Sequence, residues 1–267
     1  MQTMTDQTGR TFHLDTPPRR IISTVPSQTE LLAYLGLEEE VVGITKFCVH
    51  PSRWFHSKKR VGGTKNLNVQ AIRQLNPDLI LANKEENTRE QVEALIREHP
   101  VWISDVNDLA GAYDMIRSVG TICNREAEAM ALVTDIRDDF RITQAWAPIP
   151  HTAYLIWREP YMAAGGGTFI DSMMQAAGLV NMFRDIPRYP SITVADLAGD
   201  TGLPPCRLLL LSSEPYPFAE KHVAELRASL PDTMILLVDG ELFSWYGSRL
   251  LQAPRYFHEL RTRIGAV

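Results

Sequence analysis

Apolar positions along the 267-residue chain fall into short buried-looking runs that alternate with stretches of helical spacing. The run over 20–25 predicts a strand, and Pro26-Ser27 ends it. Ser27-Gln28-Thr29-Glu30 then has the form of a capping box opening a helix that carries Leu31, Leu32 and Leu35 and stops at Gly36. A strand over 41–45 follows, then a loop holding Phe47, Cys48 and His50, and a turn at Gly62-Gly63. Within NVQAIRQLNPDLILAN (68–83), Asn68 caps a short helix carrying Ile72 and Leu75, and Asn76-Pro77-Asp78 breaks it before Leu79-Ile80-Leu81-Ala82. A helix over 88–98 and a strand over 101–104 complete a pattern that predicts a parallel sheet flanked by helices.

From Asp108 the spacing is helical for about 38 residues, with Asn124 as the cap that splits it. The second part, about 125–145, would be ~30 Å long, with Ala129, Val133, Ile136 and Phe140 as its apolar stripe. The alternation then restarts. A strand over 152–157 leads to Gly165-Gly166-Gly167 and a helix over 169–177 closed by Gly178. TVADLAGDTGLPPCRLLLLS (193–212) repeats the shape of 68–83, followed by a helix over 219–229, a strand over 234–238 and a last helix from Trp245 to the end. The halves form an approximate internal duplication. The expected fold class is α/β: two Rossmann-like lobes with parallel sheets, joined by a long backbone helix, with a ligand cleft between the lobes. The expected domains are an N-terminal lobe over 1–107, a helical segment over 108–147 and a C-terminal lobe over 148–267. Ligands of such sheets sit beyond the carboxyl ends of the strands.

Composition narrows the function without naming it. The chain is 45% apolar and 22% charged, with a net charge of −5, so a nucleic-acid backbone is not an expected partner. The apolar runs are strand-sized, so no membrane span is expected. The first residues, MQTMTDQTGRTFHL, lack the pattern of a secretory leader. Cys48, Cys123 and Cys206 are odd in number and widely spaced, as reduced thiols are. Both features favour the cytoplasm. A periplasmic or lipid-anchored protein is the alternative if a leader was removed.

The landmarks Arg20-Ile21-Ile22-Ser23, Pro26-Ser27-Gln28-Thr29-Glu30, Val61-Gly62-Gly63, Asn68-Val69-Gln70, Asn76-Pro77-Asp78, Gly167-Thr168-Phe169-Ile170 and Ala177-Gly178-Leu179-Val180-Asn181 occur in this order over nearly the whole chain. In this the chain resembles the class III (cluster A) periplasmic binding proteins of ABC importers for cobalamin, haem and ferric siderophores. The resemblance implies two lobes bridged by a rigid helix, a small-molecule ligand of one of those three classes and no required cofactor. It also implies a docking glutamate on each helix–strand unit, for arginines of an ABC permease. Those places hold Gln70 and Ala195 here, which cannot form a charge-assisted pair, and Asp196 lies about 100° away around its helix. Both departures weigh against coupling to a permease.

Aromatic residues gather in the loops expected to face the cleft: Phe47 in the first half, and Trp157, Tyr161, Tyr189, Tyr216, Trp245 and Tyr246 in the second. By resemblance, Phe47, Tyr161 and Tyr189 align with ring-stacking positions of cobalamin binders. Aromatic faces suit a flat macrocycle, whereas core packing is the competing role, above all for Trp157. His50 and Cys48 share a loop and are candidate metal or axial ligands, set against a packed thiol and an ordinary loop histidine. Arg249, and less so Lys65 and Arg158, are candidate anchors for a ligand carboxylate or phosphate, set against surface ion pairs. The amides of Gly165-Gly166-Gly167 could hold an anion or simply let backbone pass closely. Ser212-Ser213-Glu214 lacks the glycines of a nucleophile elbow, and Asp239 and Glu241 read as a turn, so no catalytic residue is expected.

The expected function is therefore a soluble binding protein for a metal chelate or tetrapyrrole-type ligand, not an enzyme and not permease-coupled in the usual way. One alternative is a cytosolic enzyme on the same frame, a metal chelatase or a corrinoid- or haem-modifying enzyme. The other is a conventional importer receptor whose leader has been removed.

Overall fold

A computed structural model describes residues 2–265. The chain divides into two compact units. The first holds the chain up to Val106, Ala110–Asp135 and Trp245–Arg249, and the second holds Asn107–Leu109, Ile136–Ser244 and the chain from Leu250 onward.

The first unit is built on a five-stranded sheet in the order Lys59–Arg60, Val41–Ile44, Ile21–Ser23, Leu79–Asn83, Val101–Ser104. All four pairings are parallel, with Ile21 opposite Leu79 and Ile80 opposite Val101. Such strands are covered on both faces, and Leu79–Asn83 is buried along its whole length. Ile22, Ile72, Ile80, Val92 and Leu95 form one core cluster beside it.

In the second unit, Ile149–Trp157 pairs in parallel with Leu208–Ser212, and that strand with Met234–Val238. This trio reproduces Ile21–Ser23, Leu79–Asn83 and Val101–Ser104 of the first unit, the duplication expected from the alternating pattern. The sheet is mixed rather than all parallel, because Tyr161–Ala163 and Ser191–Ile192 join it antiparallel. Its core includes Leu155, Phe183, Leu197, Leu209 and Leu226.

The expected helix–strand units are present in both. Asn68 Oδ1 accepts the Ala71 amide at the start of Val69–Leu75, and Asn76 closes that helix in the left-handed conformation (φ 43°). Thr193 and Asp196 form a capping box on Val194–Ala198, which ends at Gly199. The long helical region is Leu109–Ile122 and Glu126–Arg141, with one 3₁₀ turn after it. Glu126–Arg141 belongs to the first unit through Asp135 and to the second from Ile136, as a linking helix should. Ala129, Val133, Ile136 and Phe140 are all buried.

Four local expectations are corrected. Asn124 does not open the second long helix but closes the first. It is left-handed (φ 54°), with Asn124 N–H donating to Thr121 O (3.3 Å) and Arg125 N–H to Gly120 O (2.7 Å), the paired bonds of a Schellman end. Ser27–Glu30 is not a capping box: Pro26 occupies the first turn of the helix Pro26–Tyr34, so the cap position moves back to Val25, and Glu30 is drawn to Arg249. Gly62–Gly63 is a strand paired with Asn66–Leu67, and the helix Ser52–Ser57 precedes it. The last helix is in three pieces: Glu241–Ser244, a 3₁₀ turn at Ser248–Leu251, and Ala253–Ile264.

Candidate functional site

In the first unit the carboxyl ends of the parallel strands carry a layer of buried polar side chains: Ser23, Thr45, Asn83 and Ser104. They bond to one another and to neighbouring loops. Gln28 Nε2 donates to Ser104 Oγ (2.5 Å), Asn83 Nδ2 to the same oxygen (2.9 Å), and Thr24 Oγ1 to Asn87 Oδ1 (2.8 Å). Asn83 Oδ1 accepts the amides of Glu85 and Glu86, which fixes the next turn. Networks of this kind hold loops in one geometry, and here only Gln28 Oε1 of the named side chains is buried with no hydrogen-bond partner.

The loop after Val41–Ile44 is anchored in the same way. Cys48 is fully buried, its sulfur within 3.0 Å of Thr29 Oγ1 and 3.2 Å of Thr45 Oγ1. Burial pushes its thiol pKa up, as in a structural cysteine. Phe47, one residue away, stays 51% exposed on this fixed loop. His50 is half-buried, with its ring edge-on to Trp245 at 5.5 Å.

Trp245 and Tyr246 belong to the first unit although they are far away in sequence, and both are buried. Tyr246 Oη donates to Glu86 Oε1 at 2.8 Å; burial first, and then the Glu86 charge, hold its hydroxyl pKa well above the ordinary value. Arg249 makes two bonds to the Glu30 carboxylate, 3.0 Å from Nε and 2.7 Å from Nη2, and lies 5.0 Å from the Trp245 ring centre. These three side chains tie the 245–249 segment to the first unit.

In the second unit, Trp157 ends its strand 42% exposed, not in the core, with its edge against Tyr216 (5.8 Å). Tyr216 meets Phe218 (4.8 Å) and His222 (5.4 Å) edge to face. His222 Nδ1 accepts the Ala219 amide (2.9 Å), which places the imidazole proton on Nε2, 3.2 Å from Tyr216 Oη. Burial chiefly lowers its pKa. Tyr161 Oη donates to Glu225 (3.3 Å), whose carboxylate also accepts two bonds from Arg158 (2.8 and 2.9 Å). That pair holds Glu225 below the usual carboxylate range. Sequence reasoning missed the histidine and glutamate of this cluster; the His222–Glu225 spacing at one helix turn was the available signal.

Tyr189 lies under the Arg188 guanidinium at 5.6 Å, and Arg188 Nη1 donates to Asn107 Oδ1 (2.9 Å) and Gly167 O (2.6 Å). The Gly165 and Gly166 amides donate to Arg188 O (2.7 Å) and Ile186 O (2.8 Å), so they are not held out for an anion. A Cβ at Gly165 would lie 2.2 Å from Ile186 O, and at Gly166 1.9 Å from Arg184 O. Close backbone passage therefore explains Gly165 and Gly166, whereas Gly167 takes a left-handed conformation (φ 69°). Ser213, Glu214, Asp239 and Glu241 line a shallow depression of about 570 Å³ beyond Leu208–Ser212 and Met234–Val238.

Gln70 is exposed on its helix and Ala195 half-buried on its own. Asp196 is engaged in its own helix cap. Its Oδ2 accepts the Thr193 amide and hydroxyl (2.7 and 2.8 Å) and its Oδ1 the Thr201 hydroxyl (2.8 Å), bonds that lower its pKa. Among the described residues no helix is long and apolar enough to cross a membrane, and no cluster of three or more His, Cys, Asp or Glu is placed to hold a metal.

The sequence profile of the periplasmic binding protein family matches residues 21–198. An uncharacterized ABC transporter substrate-binding lipoprotein of Bacillus subtilis, YvrC, is 29% identical over 147 residues, 53% of this chain and 46% of that protein. A cobalamin-binding protein of Halobacterium salinarum is 25% identical over 200 residues, 70% of this chain and 53% of that protein. The match thus spans about half the length of these curated relatives. The periplasmic vitamin B12 binding protein of Vibrio cholerae superposes with a TM-score of 0.77 at 18% identity, over 94% of this chain and 99% of that one. At that identity the likeness is one of fold.

Proposed function

The chain belongs to the periplasmic binding protein family, and from that premise we propose that it binds a small metal chelate or tetrapyrrole-type ligand of the cobalamin, haem or ferric-siderophore class without turning it over. The observation that carries this reading is Phe47. It is a large aromatic left half exposed on a loop held by buried hydrogen bonds, at the carboxyl end of a parallel strand. In the second unit exposed Trp157 likewise ends a strand of a parallel pairing, Ile149–Trp157. Ring stacking needs such faces, presented at little further entropy cost. The cobalamin-binding relative and the resemblance of the landmark residues support the ligand class.

We further propose that this binder works without the usual two-glutamate contact to an ABC permease. Gln70 and Ala195 support that reading, as does the commitment of Asp196 to its helix cap.

A thermal-shift screen with cyanocobalamin, iron protoporphyrin IX and a ferric hydroxamate tests the ligand class. A ligand at a hundredfold over its dissociation constant stabilises by about 2.7 kcal/mol, worth roughly 5–10 °C for a chain of this size. If none of the three raises the melting point, the ligand class is wrong. The double variant Gln70→Glu, Ala195→Glu should retain wild-type affinity; loss of ligand binding would put those residues in the binding surface instead.

A further inference from the structure

Ala219 precedes the helix Glu220–Ser229 and has no side-chain oxygen to cap it, so another residue supplies the acceptor. His222 does so. Its Nδ1 takes the Ala219 amide (2.9 Å) while its own amide donates to Ala219 O (2.8 Å). This is the reach-back half of a capping box, made by an imidazole in place of a carboxylate. The ring is only 2% exposed and stands edge-on to Tyr216 (5.4 Å) and Phe218 (5.5 Å), with Nε2 3.2 Å from Tyr216 Oη. Tyr216 in turn meets the exposed Trp157.

The segment 215–219 leans on these side chains. Pro215 and Pro217 supply no amide proton, and the bonds from Tyr216 N–H to Ile156 O and from Phe218 N–H to Ser212 O are both long (3.3 Å). A protonated imidazole cannot keep the arrangement. With a proton on Nδ1, two donors would face each other across 2.9 Å, and the Ala219 amide would lose its acceptor. The new charge would also sit in the first turn of a helix, where the macrodipole disfavours a cation. Ala219 is exposed, so water can take its amide once the bond breaks.

The charges around the ring are Lys221 and Glu225 on its own helix and Arg158 from the end of the strand Ile149–Trp157. Burial first, then Lys221 and Arg158, oppose the charged imidazole, and Glu225 favours it. The strand Met234–Val238 packs against this helix and is apolar throughout. Helix Val194–Ala198 brings Asp196, which is committed to Thr193 and Thr201.

We infer that His222 is a pH-dependent positioning residue for the Trp157 face. Neutral, it caps Glu220–Ser229 and holds Tyr216 against Trp157. Protonated, it lets go of the cap and of the segment 215–219, and Trp157 loses its support while the sheet stays folded. The inference concerns the free protein and stands apart from the ligand class proposed above.

The test follows the free protein by NMR across the range of histidine titration, about pH 8 to 5. It reads the His222 ring nitrogens, the Ala219 amide and, by difference from a Trp157→Phe protein, the Trp157 indole. In wild type the three signals should move together with one midpoint below 6.5, and the exchange protection factor of the Ala219 amide should fall about tenfold or more. His222→Gln keeps an acceptor for the Ala219 amide but takes no proton, so its Ala219 and Trp157 signals should stay near neutral wild type at every pH. His222→Leu has no acceptor and should resemble acidic wild type throughout. The same pH curve in His222→Gln as in wild type overturns the inference. So does a His222 ring that titrates while Ala219 and Trp157 do not move, or a chain that unfolds as a whole before the ring takes its proton. Should His222→Leu fail to fold, wild type against His222→Gln still decides.

Discussion

Gly120 sits inside the helix Leu109–Ile122, where replacing glycine with alanine ordinarily stabilises by about 1 kcal/mol. The structure predicts the opposite sign. A Cβ at Gly120 would lie 2.3 Å from Ala129 Cβ and 3.0 Å from Arg125 O, and both atoms belong to the chain that turns directly into Glu126–Arg141. The Gly120 carbonyl also accepts the Arg125 amide that closes the helix, so a shift to relieve the clash would strain that bond as well. Overpacking a close contact costs about 1–3 kcal/mol, which outweighs the propensity gain at all but the low end. Gly120→Ala should therefore lower stability, by up to about 2 kcal/mol in urea denaturation, a few degrees in melting temperature. Ala129→Gly removes the opposing methyl group. In the double variant much of the Gly120→Ala loss should return, a positive coupling between residues in contact. A Gly120→Ala protein more stable than wild type, or additive effects in the double variant, would refute the close packing of these helices.

Other expectations concern groups away from the ligand loops. His222 has a folded pKa below its unfolded value of 6.5, so its contribution to stability is complete above pH 6.5 and is lost as pH falls through the folded value. The melting temperature of wild type should drop more between pH 7 and 5 than that of His222→Gln; parallel pH profiles would remove His222 as the cause. Arg261 is buried, donates to Ala177 O (3.3 Å) and Ala147 O (2.9 Å), and lies over Trp146 (5.1 Å). Arg261→Met leaves those carbonyls without these donors, at about 1–3 kcal/mol each, and a loss under 1 kcal/mol in denaturation would contradict the clamp. All three cysteines are buried, and burial raises Cys123 and Cys206 to about 12. A thiol reagent at pH 8 should label none in the native protein and all three in denaturant; rapid native labelling would show that a thiol is accessible.

Local rules carried most of the framework. Asn68, Asn76-Pro77, Thr193 and Gly178 act through neighbours in sequence, so their helix ends were legible. Partners far along the chain were not. Glu30 fits a capping box locally, but Arg249, 219 residues away, takes its carboxylate. Asn124 fits either end of a helix by residue type, and only the backbone bonds to Gly120 and Thr121 decide which. Candidate site residues were legible by type but not by burial. Trp245 and Tyr246 are large aromatics like Trp157, yet of the three only Trp157 is exposed, because the 245–249 segment packs into the first unit.

The central claim is reversible binding without chemistry. Equilibrium dialysis of the purified protein against iron protoporphyrin IX, cyanocobalamin and a ferric hydroxamate, followed by mass spectrometry of the released ligand, tests it most directly. The account predicts saturable uptake of at least one of the three and its recovery at unchanged mass with its metal retained. No saturable uptake of any of them, or release of a demetallated or otherwise altered product, would contradict it.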